Sequence, residues 1–410
     1  MSDLSRQVVV TGVAACCHMG DDLEAIQKDL REGRATPLKI WQPAVDFRTR
    51  CKLVGLFENP LEPDDLGISK KDARFMGRAA RMAIYCAKKA LSQAQVDSRD
   101  IAVVVGSGTG DVETHRYIHS VLEKTRNGTR ISPTVIPRLM ASTVSANLAN
   151  FFESTGPSFT AAAACAGGAY SILLASELIA NGHCEKAIAG GVEVADIHFH
   201  TGFDSMRGYN VEDNDRPERA LRPYAADRAG FLFSEGGGIL ILETQEAASR
   251  RGAKILGKIR GYGMSSDGQH DMVAPSPEGA RLSMERALRH ARVKREEVDY
   301  INTHGTSTRL GDISEVRGIR DLFGDLHVAY SSTKGYTGHT VSAAGPIEAI
   351  FTFTMLREGW IAPSVNAEPL DPDIKDYPPV VVPTVKPMKI ALSNSFGFGG
   401  TNVTLVLEKP

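Results

Sequence analysis

Cysteine is scarce in this 410-residue chain: Cys16, Cys17, Cys51, Cys86, Cys165 and Cys184 are all of it. No two form a CxxC pair and their spacing is irregular, which argues against a disulfide framework. Nor does any cluster carry the ligand number and spacing that zinc requires. Charge of one sign is also lacking: 47 Lys and Arg against 49 Asp and Glu leave a net of -2. That balance gives the whole molecule no bias toward nucleic acid or a membrane surface. Long apolar runs are missing too, and the longest fall far short of the roughly 20 residues a membrane span needs. No secretory pattern opens the chain, because "MSDLSRQVVVTG" leads straight into a strand. The cysteines sit among aliphatic, helical neighbours, so reduced and mostly buried thiols are expected. A reducing cytoplasm is the expected compartment.

What is present is the composition of an ordinary globular enzyme, 42% hydrophobic and 23% charged. The length suits two average domains or one duplicated one. Strand-like runs alternate with helical ones throughout. "QVVVTGVAA" from Gln7, "DIAVVVGSGTG" from Asp100, "EKAIAGGVEVA" from Glu185 and "GGGILILET" from Gly236 are apolar runs touching glycine. Between the first two, "DARFMGRAARMAIYCAKKALSQA" has apolar residues at helical spacing. The second half repeats the style with "AKILGKIRGYGMSS", helix "EGARLSMERALRHARV", "VDYINTHGTST", helix "GDISEVRGIRDLF" and "HVAYSSTKG". Apolar strands between helices predict sheets covered on both faces in an α/β fold. The midpoint falls in "SRRGA", which predicts halves 1–251 and 252–410. Residues 204–230 are polar and irregular and predict a surface excursion; "EPLDPDIKDYPPVVVPT" reads as an ordered connection.

Four places carry chemistry. Cys165 lies in "AAAACAGGAYSILLASELIANG", at a predicted strand-to-helix junction. There the helix macrodipole would lower the thiol pKa and raise the thiolate fraction. A lone cysteine in an alanine-rich run is otherwise an ordinary core residue. His304 in "NTHGTST" and His339 in "KGYTGHT" each follow a strand, where active sites of covered α/β sheets gather. The other histidines, such as His198 and His200, lack that setting and read as structural. "SNSFGFGGTN", Ser393 to Asn402, is a glycine-rich loop able to aim backbone N–H groups at a ligand. "GSGTGD" at Gly106 to Asp111 matches neither phosphate-loop pattern and is rejected as one.

Taken in order, the Cys165 turn, "NTHGTST", "STKGYTGHT", "AAGPIEAI" and "SNSFGFGGTN" resemble the motifs of condensing enzymes. The chain resembles most the elongating type II β-ketoacyl–acyl-carrier-protein synthases, along nearly its whole length. The resemblance implies a thiolase-like fold of two duplicated halves, each with a mixed five-stranded sheet, layered α-β-α-β-α in a homodimer. It implies that Cys165 accepts the acyl group and that His304 and His339 serve decarboxylation of a malonyl thioester. Lys334 would support the site, paired with Glu348. Phe398 would gate it, its N–H completing an oxyanion hole with that of Cys165. Thr306 and Thr308 would line the phosphopantetheine channel, with Phe396 and Gly399 also on the substrate path. Lys71, Arg74, Arg126, Arg130 and Arg207 would receive an acidic acyl carrier protein. No metal or cofactor is implied. The chemistry is coherent: acyl transfer to a thiolate splits one hard step into two, and donors held against the thioester oxygen contribute about 3 kcal/mol each.

Related reactions separate on single residues. Initiating synthases carry asparagine where His339 stands, thiolases need a second cysteine late in the chain, and chain-length-factor partners lack the nucleophile. Departures from the family pattern concern the substrate. "ACCHMGDD" replaces the common Ser-Pro-x-Gly, Ala164 stands where threonine often precedes the cysteine, and Gly335-Tyr336 replaces a typical Ser-Met. Thr109 and Thr134 stand where bulkier residues often close the acyl pocket, which predicts long or unusual acyl chains. Fatty-acid elongation is the leading reading. A ketosynthase subunit of a polyene or polyketide pathway, working with a chain-length-factor partner, is the alternative; a non-catalytic partner subunit is disfavoured by the intact Cys165, His304 and His339.

Overall fold

A computed structural model describes residues 7–269 and 271–410; the residues ahead of Gln7 lie outside the described ones. Ten strands make the main sheet: β1 (Val8–Cys17), β2 (Ala102–Gly106), β3 (Ser158–Phe159), β4 (Lys186–Glu193), β5 (Gly236–Thr244), β6 (Gly257–Ser266), β7 (Tyr300–Asn302), β8 (Ala329–Ser331), β9 (Ile390–Gly397) and β10 (Thr401–Glu408). The six helices that matter here are α1 (Arg78–Ala94), α2 (Val112–Thr125), α3 (Gly167–Ala180), α4 (Pro277–Ala291), α5 (Arg309–Phe323) and α6 (Ala344–Glu358).

The strand order is β3-β2-β4-β5-β1 in the first half and β8-β7-β9-β10-β6 in the second. The two orders are the same when strands are counted from the start of each half. Directions match as well. β2 is parallel to β3 and β4, and β7 is parallel to β8 and β9. The remaining pairs within each half are antiparallel. The halves join where Val8–Val10 of β1 pair with Gly257–Ile259 of β6, making one continuous ten-stranded sheet.

Helices α3 and α6 lie against each other and touch strands of both halves, α3 reaching β4 and β10, α6 reaching β5 and β9. Their sequences explain the position. Every residue of α6 from Ala344 to Leu356 is buried, and a helix apolar around its circumference belongs in an interior. Each large side chain so buried, such as Phe351 or Phe353, contributes about 1.5–3 kcal/mol. On the outer faces α1 covers β1 and β5, while α4 covers β6 and β10 with α5 beside it. The result is the five-layered α-β-α-β-α arrangement of the thiolase-like fold.

Two local expectations fail. The helical run from Asp72 is broken, and α1 begins at Arg78. A Cβ at Gly77 would stand 2.7 Å from the Asp111 carboxylate, so the chain passes that point extended. Residues 204–230 are irregular but no surface excursion. Tyr209, Asn210, Asp213, Tyr224 and Arg228 are buried. Polar groups along the stretch are paired within the fold, though the buried Tyr209 hydroxyl has no partner: the Asp204 carboxylate accepts from the backbone N–H groups of Arg50 and Cys51, both at 3.0 Å. Arg228 pairs with Asp312 at 3.0 Å and Asp371 at 2.8 Å.

Candidate active site

The parallel strands bring the motif residues to one end of the molecule. Thr109 follows β2, Cys165 follows β3 and Glu193 ends β4; His304 follows β7, His339 follows β8 and Phe398 follows β9. Cys165 and His339 thus occupy equivalent places in the two halves, each just ahead of a central helix. A cavity of about 520 Å³ at this end is lined by Cys165, His304, His339, Thr306, Thr308, Phe396 and Phe398. A larger groove of about 840 Å³ lies elsewhere and is lined by none of these residues.

Cys165 sits in a single tight turn, Ala164–Ala166, that runs into α3. Ala164 holds a left-handed backbone, φ 45°, a strained state that small residues tolerate best and that clusters at functional turns. The small neighbours have a packing reason. A Cβ at Gly168 would meet the Ser342 carbonyl at 2.2 Å, so the helix start sits directly on the Val341–Ala343 turn. The expected lowering of the thiol pKa does not hold in this resting site. Burial pushes the Cys165 thiol up to about 12, and the Glu193 charge adds to it. The Lys334 charge and the backbone N–H groups of Phe398 and Cys165 pull the other way. Desolvation outweighs the helix terminus here. The backbone N–H groups of Phe398 and Cys165, which favour the thiolate, are those suited to hold an oxyanion formed there.

The two imidazoles face one another edge to face with ring centroids 5.3 Å apart. Burial, then the charge of Lys334, holds both well below the ordinary imidazole range; His339 adds to the effect on His304. Both rings are therefore neutral at pH 7. Each has a buried Nδ1 without a hydrogen-bond partner. A bare acceptor there costs less than a buried N–H, so the proton is assigned to Nε2, the nitrogen left toward the cavity. Lys334 Nζ stands 2.5 Å from Glu348 Oε1 in full burial, and burial pushes the Glu348 carboxyl up to about 7 despite that partner.

The structure adds residues that the motifs did not reveal. Glu315 Oε1 and Oε2 accept the backbone N–H groups of His304 and Gly305, both at 2.9 Å, and Oε1 also accepts Asn394 Nδ2 at 2.9 Å. Burial raises the Glu315 carboxyl to about 7. Asp312 accepts from the Ser307 N–H at 3.1 Å and pairs with Arg228, fixing the loop that carries Thr306 and Thr308. A signal existed: acids at 312 and 315 share the buried face of α5 with Ile313, Val316 and Ile319, and acids on an apolar face need partners. Glu193, buried at the end of β4, accepts from Thr109 Oγ1 at 2.7 Å and the Gly108 N–H at 2.9 Å. That carboxylate occupies the glycine-rich loop's donors, which agrees with its rejection as a phosphate loop.

Other expected residues divide. Thr306 and Thr308 share a hydroxyl hydrogen bond of 2.9 Å at the cavity wall. Phe396 lies 5.8 Å from the His304 ring and Phe398 is 37% exposed at the mouth. Gly399 is not part of the wall: its N–H donates to the Met272 carbonyl at 2.8 Å, and with φ 79° it serves the turn. Thr109 and Thr134 do not line the cavity and do not meet. Thr109 bonds Glu193, and Thr134 bonds Ser132 at 2.9 Å, each satisfied locally. Lys71, Arg74, Arg126, Arg130 and Arg207 are all exposed. Of these only Arg207 reaches the cavity, and Arg126 is paired with Glu123 at 3.2 Å. His198 pairs with Asp196, and His200 holds the Cys51 carbonyl at 3.0 Å, both structural. All six cysteines are free thiols.

The sequence matches the model of the beta-ketoacyl synthase N-terminal domain over residues 5–248 and that of the C-terminal domain over 256–368. It is 38% identical to 3-oxoacyl-[acyl-carrier-protein] synthase 1 of Haemophilus influenzae, across 98% of this chain and 99% of that one. Among solved structures, a beta-ketoacyl synthase from Burkholderia phymatum superposes with a TM-score of 0.91 at 30% identity, covering 99% of this chain and 100% of the other. The ishigamide ketosynthase/chain length factor gives 0.89 at 28% identity, with 99% and 100% covered. Because both family domains match in order and the likeness runs the length of the fold, the chain belongs to the beta-ketoacyl synthase family.

Proposed function

We propose that this enzyme performs decarboxylative Claisen condensation of malonyl-[acyl carrier protein] with an acyl chain held on Cys165, in fatty-acid elongation. The observation that carries the reading is one cavity lined by a buried thiol and two neutral imidazoles. Cys165 attacks the acyl thioester and releases the carrier thiol. Malonyl thioester then enters, with His304 and His339 donating to its carbonyl oxygen as CO2 leaves. The resulting enolate attacks acyl-Cys165, whose oxygen is held by the N–H groups of Cys165 and Phe398. The acyl–sulfur bond breaks, the thiolate takes a proton from solvent, and a β-ketoacyl carrier two carbons longer departs. Burial holds both imidazoles neutral, and the charge of Lys334, kept in place by Glu348, adds to it. Intact-protein mass spectrometry against a panel of acyl carriers tests the reading by the mass of the adduct.

The chain is taken to divide at residues 251/252, in the segment between the end of β5 and the start of β6, and to work as a cytoplasmic homodimer. The ketosynthase subunit of a polyene or polyketide pathway remains the second reading, favoured by the likeness to the ishigamide ketosynthase/chain length factor. Carrier docking is assigned to Lys71, Arg74, Arg126, Arg130 and Arg207, exposed cations suited to an acidic partner. Reversing these charges together will raise KM for carrier-bound substrate by about tenfold or more and flatten its salt dependence. Unchanged KM in the fivefold variant refutes the patch.

Chain length is assigned to Thr109 and Thr134, as the far end of an acyl path that runs beyond the cavity described above. A buried CH2 is worth about 0.8 kcal/mol, so a few extra carbons decide preference. Thr109→Phe will shorten the products while leaving turnover of acetyl and hexanoyl primers in place. An unaltered product distribution means the pocket ends elsewhere.

A further inference from the structure

The turn that carries His339 is not held by its own local preferences. It begins with the short helix Lys334–Thr337, and His339 is preceded by Gly338 at φ 66° and followed two residues on by Val341 at φ 45°. A segment with left-handed residues on both sides needs anchors outside itself. Two lie at its ends. Lys334 is tied to Glu348. The His339 N–H donates to the Leu232 carbonyl at 2.8 Å, and its own carbonyl accepts the Ser234 N–H at 3.1 Å.

The third anchor is in the middle and is the pair that departs from the family's Ser-Met. Gly335 brings the turn directly onto the segment ending at Val365, where a Cβ would stand 2.6 Å from Val365 Cγ2. Tyr336, fully buried, then reaches past it. Its hydroxyl lies 3.0 Å from the Pro363 carbonyl and 3.4 Å from the Leu30 carbonyl. Leu30 is in the last turn of the helix Leu23–Glu32, and its carbonyl, which accepts the Gly33 N–H at 3.3 Å, has a second lone pair to offer. One hydroxyl thus joins the catalytic turn to a helix of the other half and to the segment after α6. A buried tyrosine hydroxyl has no cheap alternative to these acceptors, so the bond fixes where the turn sits.

We infer that Tyr336 is a positioning residue for His339: its hydroxyl, donating to the Pro363 carbonyl with the Leu30 carbonyl as a weaker second acceptor, sets the imidazole for decarboxylation. The inference rests on the condensing function proposed above. It concerns decarboxylation more than acyl loading, because Cys165 is carried by its own Ala164–Ala166 turn and α3, which meet the His339 segment only at its far end, Val341–Ala343.

Tyr336→Phe removes the hydroxyl and leaves the ring. The full-length enzyme is assayed for acyl loading by intact mass and for CO2 release from malonyl carrier. The expected result is a fall in kcat for decarboxylation on the order of tenfold, as a small misplacement of a catalytic group gives. KM and the loading rate should change by less than about twofold. Loading and decarboxylation falling together would mark a merely structural tyrosine and overturn the inference, as would no change in either. If the phenylalanine variant loses cooperative unfolding, Tyr336→Met is measured in its place and must show the same split. A wild-type enzyme that neither loads nor decarboxylates would instead refute the function itself.

Discussion

Cys165→Ala will take up no acyl group and make no β-ketoacyl product, yet will fold. The thiol is 5% exposed in a cluster with Phe203, Phe231 and Val341, and its chain neighbours are already alanines. Removing one sulfur there costs about 1 kcal/mol, the ordinary size for a small substitution, so the melting temperature should move by only a few degrees. Condensation has no other route, because no other thiol shares the cavity. Cys165→Gln separates the two half-reactions. It cannot carry an acyl chain, but it leaves His304, His339 and Lys334 in place, so CO2 release from malonyl carrier persists without condensation. A variant with both activities intact would place the nucleophile elsewhere.

The second large effect belongs to the imidazoles. His304→Ala or His339→Ala removes one donor to the forming enolate in a dry site, which lowers decarboxylation by about 10²–10³-fold. Acyl loading falls much less, since the N–H groups of Cys165 and Phe398 serve that step. The same rings carry a pH signature. Burial and the Lys334 charge depress both pKa values, so the charged form is disfavoured in the folded protein. On lowering the pH, unfolded histidines protonate near about 6.5, whereas these two stay neutral well past that point and lose their donor-acceptor state only in more acid solution. NMR titration of the two rings tests this directly. Protonation of either near its ordinary value would contradict the electrostatics described.

The sequence made the reacting groups legible because each stands in its own small-residue loop after its own strand. Cys165, His304 and His339 were readable in that way and the alternation of strands and helices foretold an α/β fold, whereas Lys334, Glu348 and the five layers came from the resemblance to condensing enzymes. Tertiary partners were hidden. Glu315 supports the His304 loop from a helix eleven residues away in sequence; its place on the apolar face of α5 says that it needs partners, but not that they are the N–H groups of His304 and Gly305. The thiol's electrostatics were misjudged for a related reason. A helix terminus is visible in sequence, while complete burial beside Glu193 is not. The 204–230 stretch looked like surface because it is polar; Asp204, Asp213 and Arg228 are satisfied by residues far along the chain or by each other's segment. Left-handed backbone at Ala164, Ser307 and Val341, all non-glycine, marks the site as clearly as any motif and leaves no trace in composition.

Intact-protein and peptide mass spectrometry on the wild-type enzyme, first with an acyl carrier and then with malonyl carrier, tests the central claim most directly. The account predicts one acyl adduct, on the peptide containing Cys165, that disappears when malonyl carrier is added. One CO2 should be released for each β-ketoacyl carrier formed, two carbons longer than the primer. An adduct on another cysteine, or loss of the adduct without CO2 and without the longer product, would contradict it.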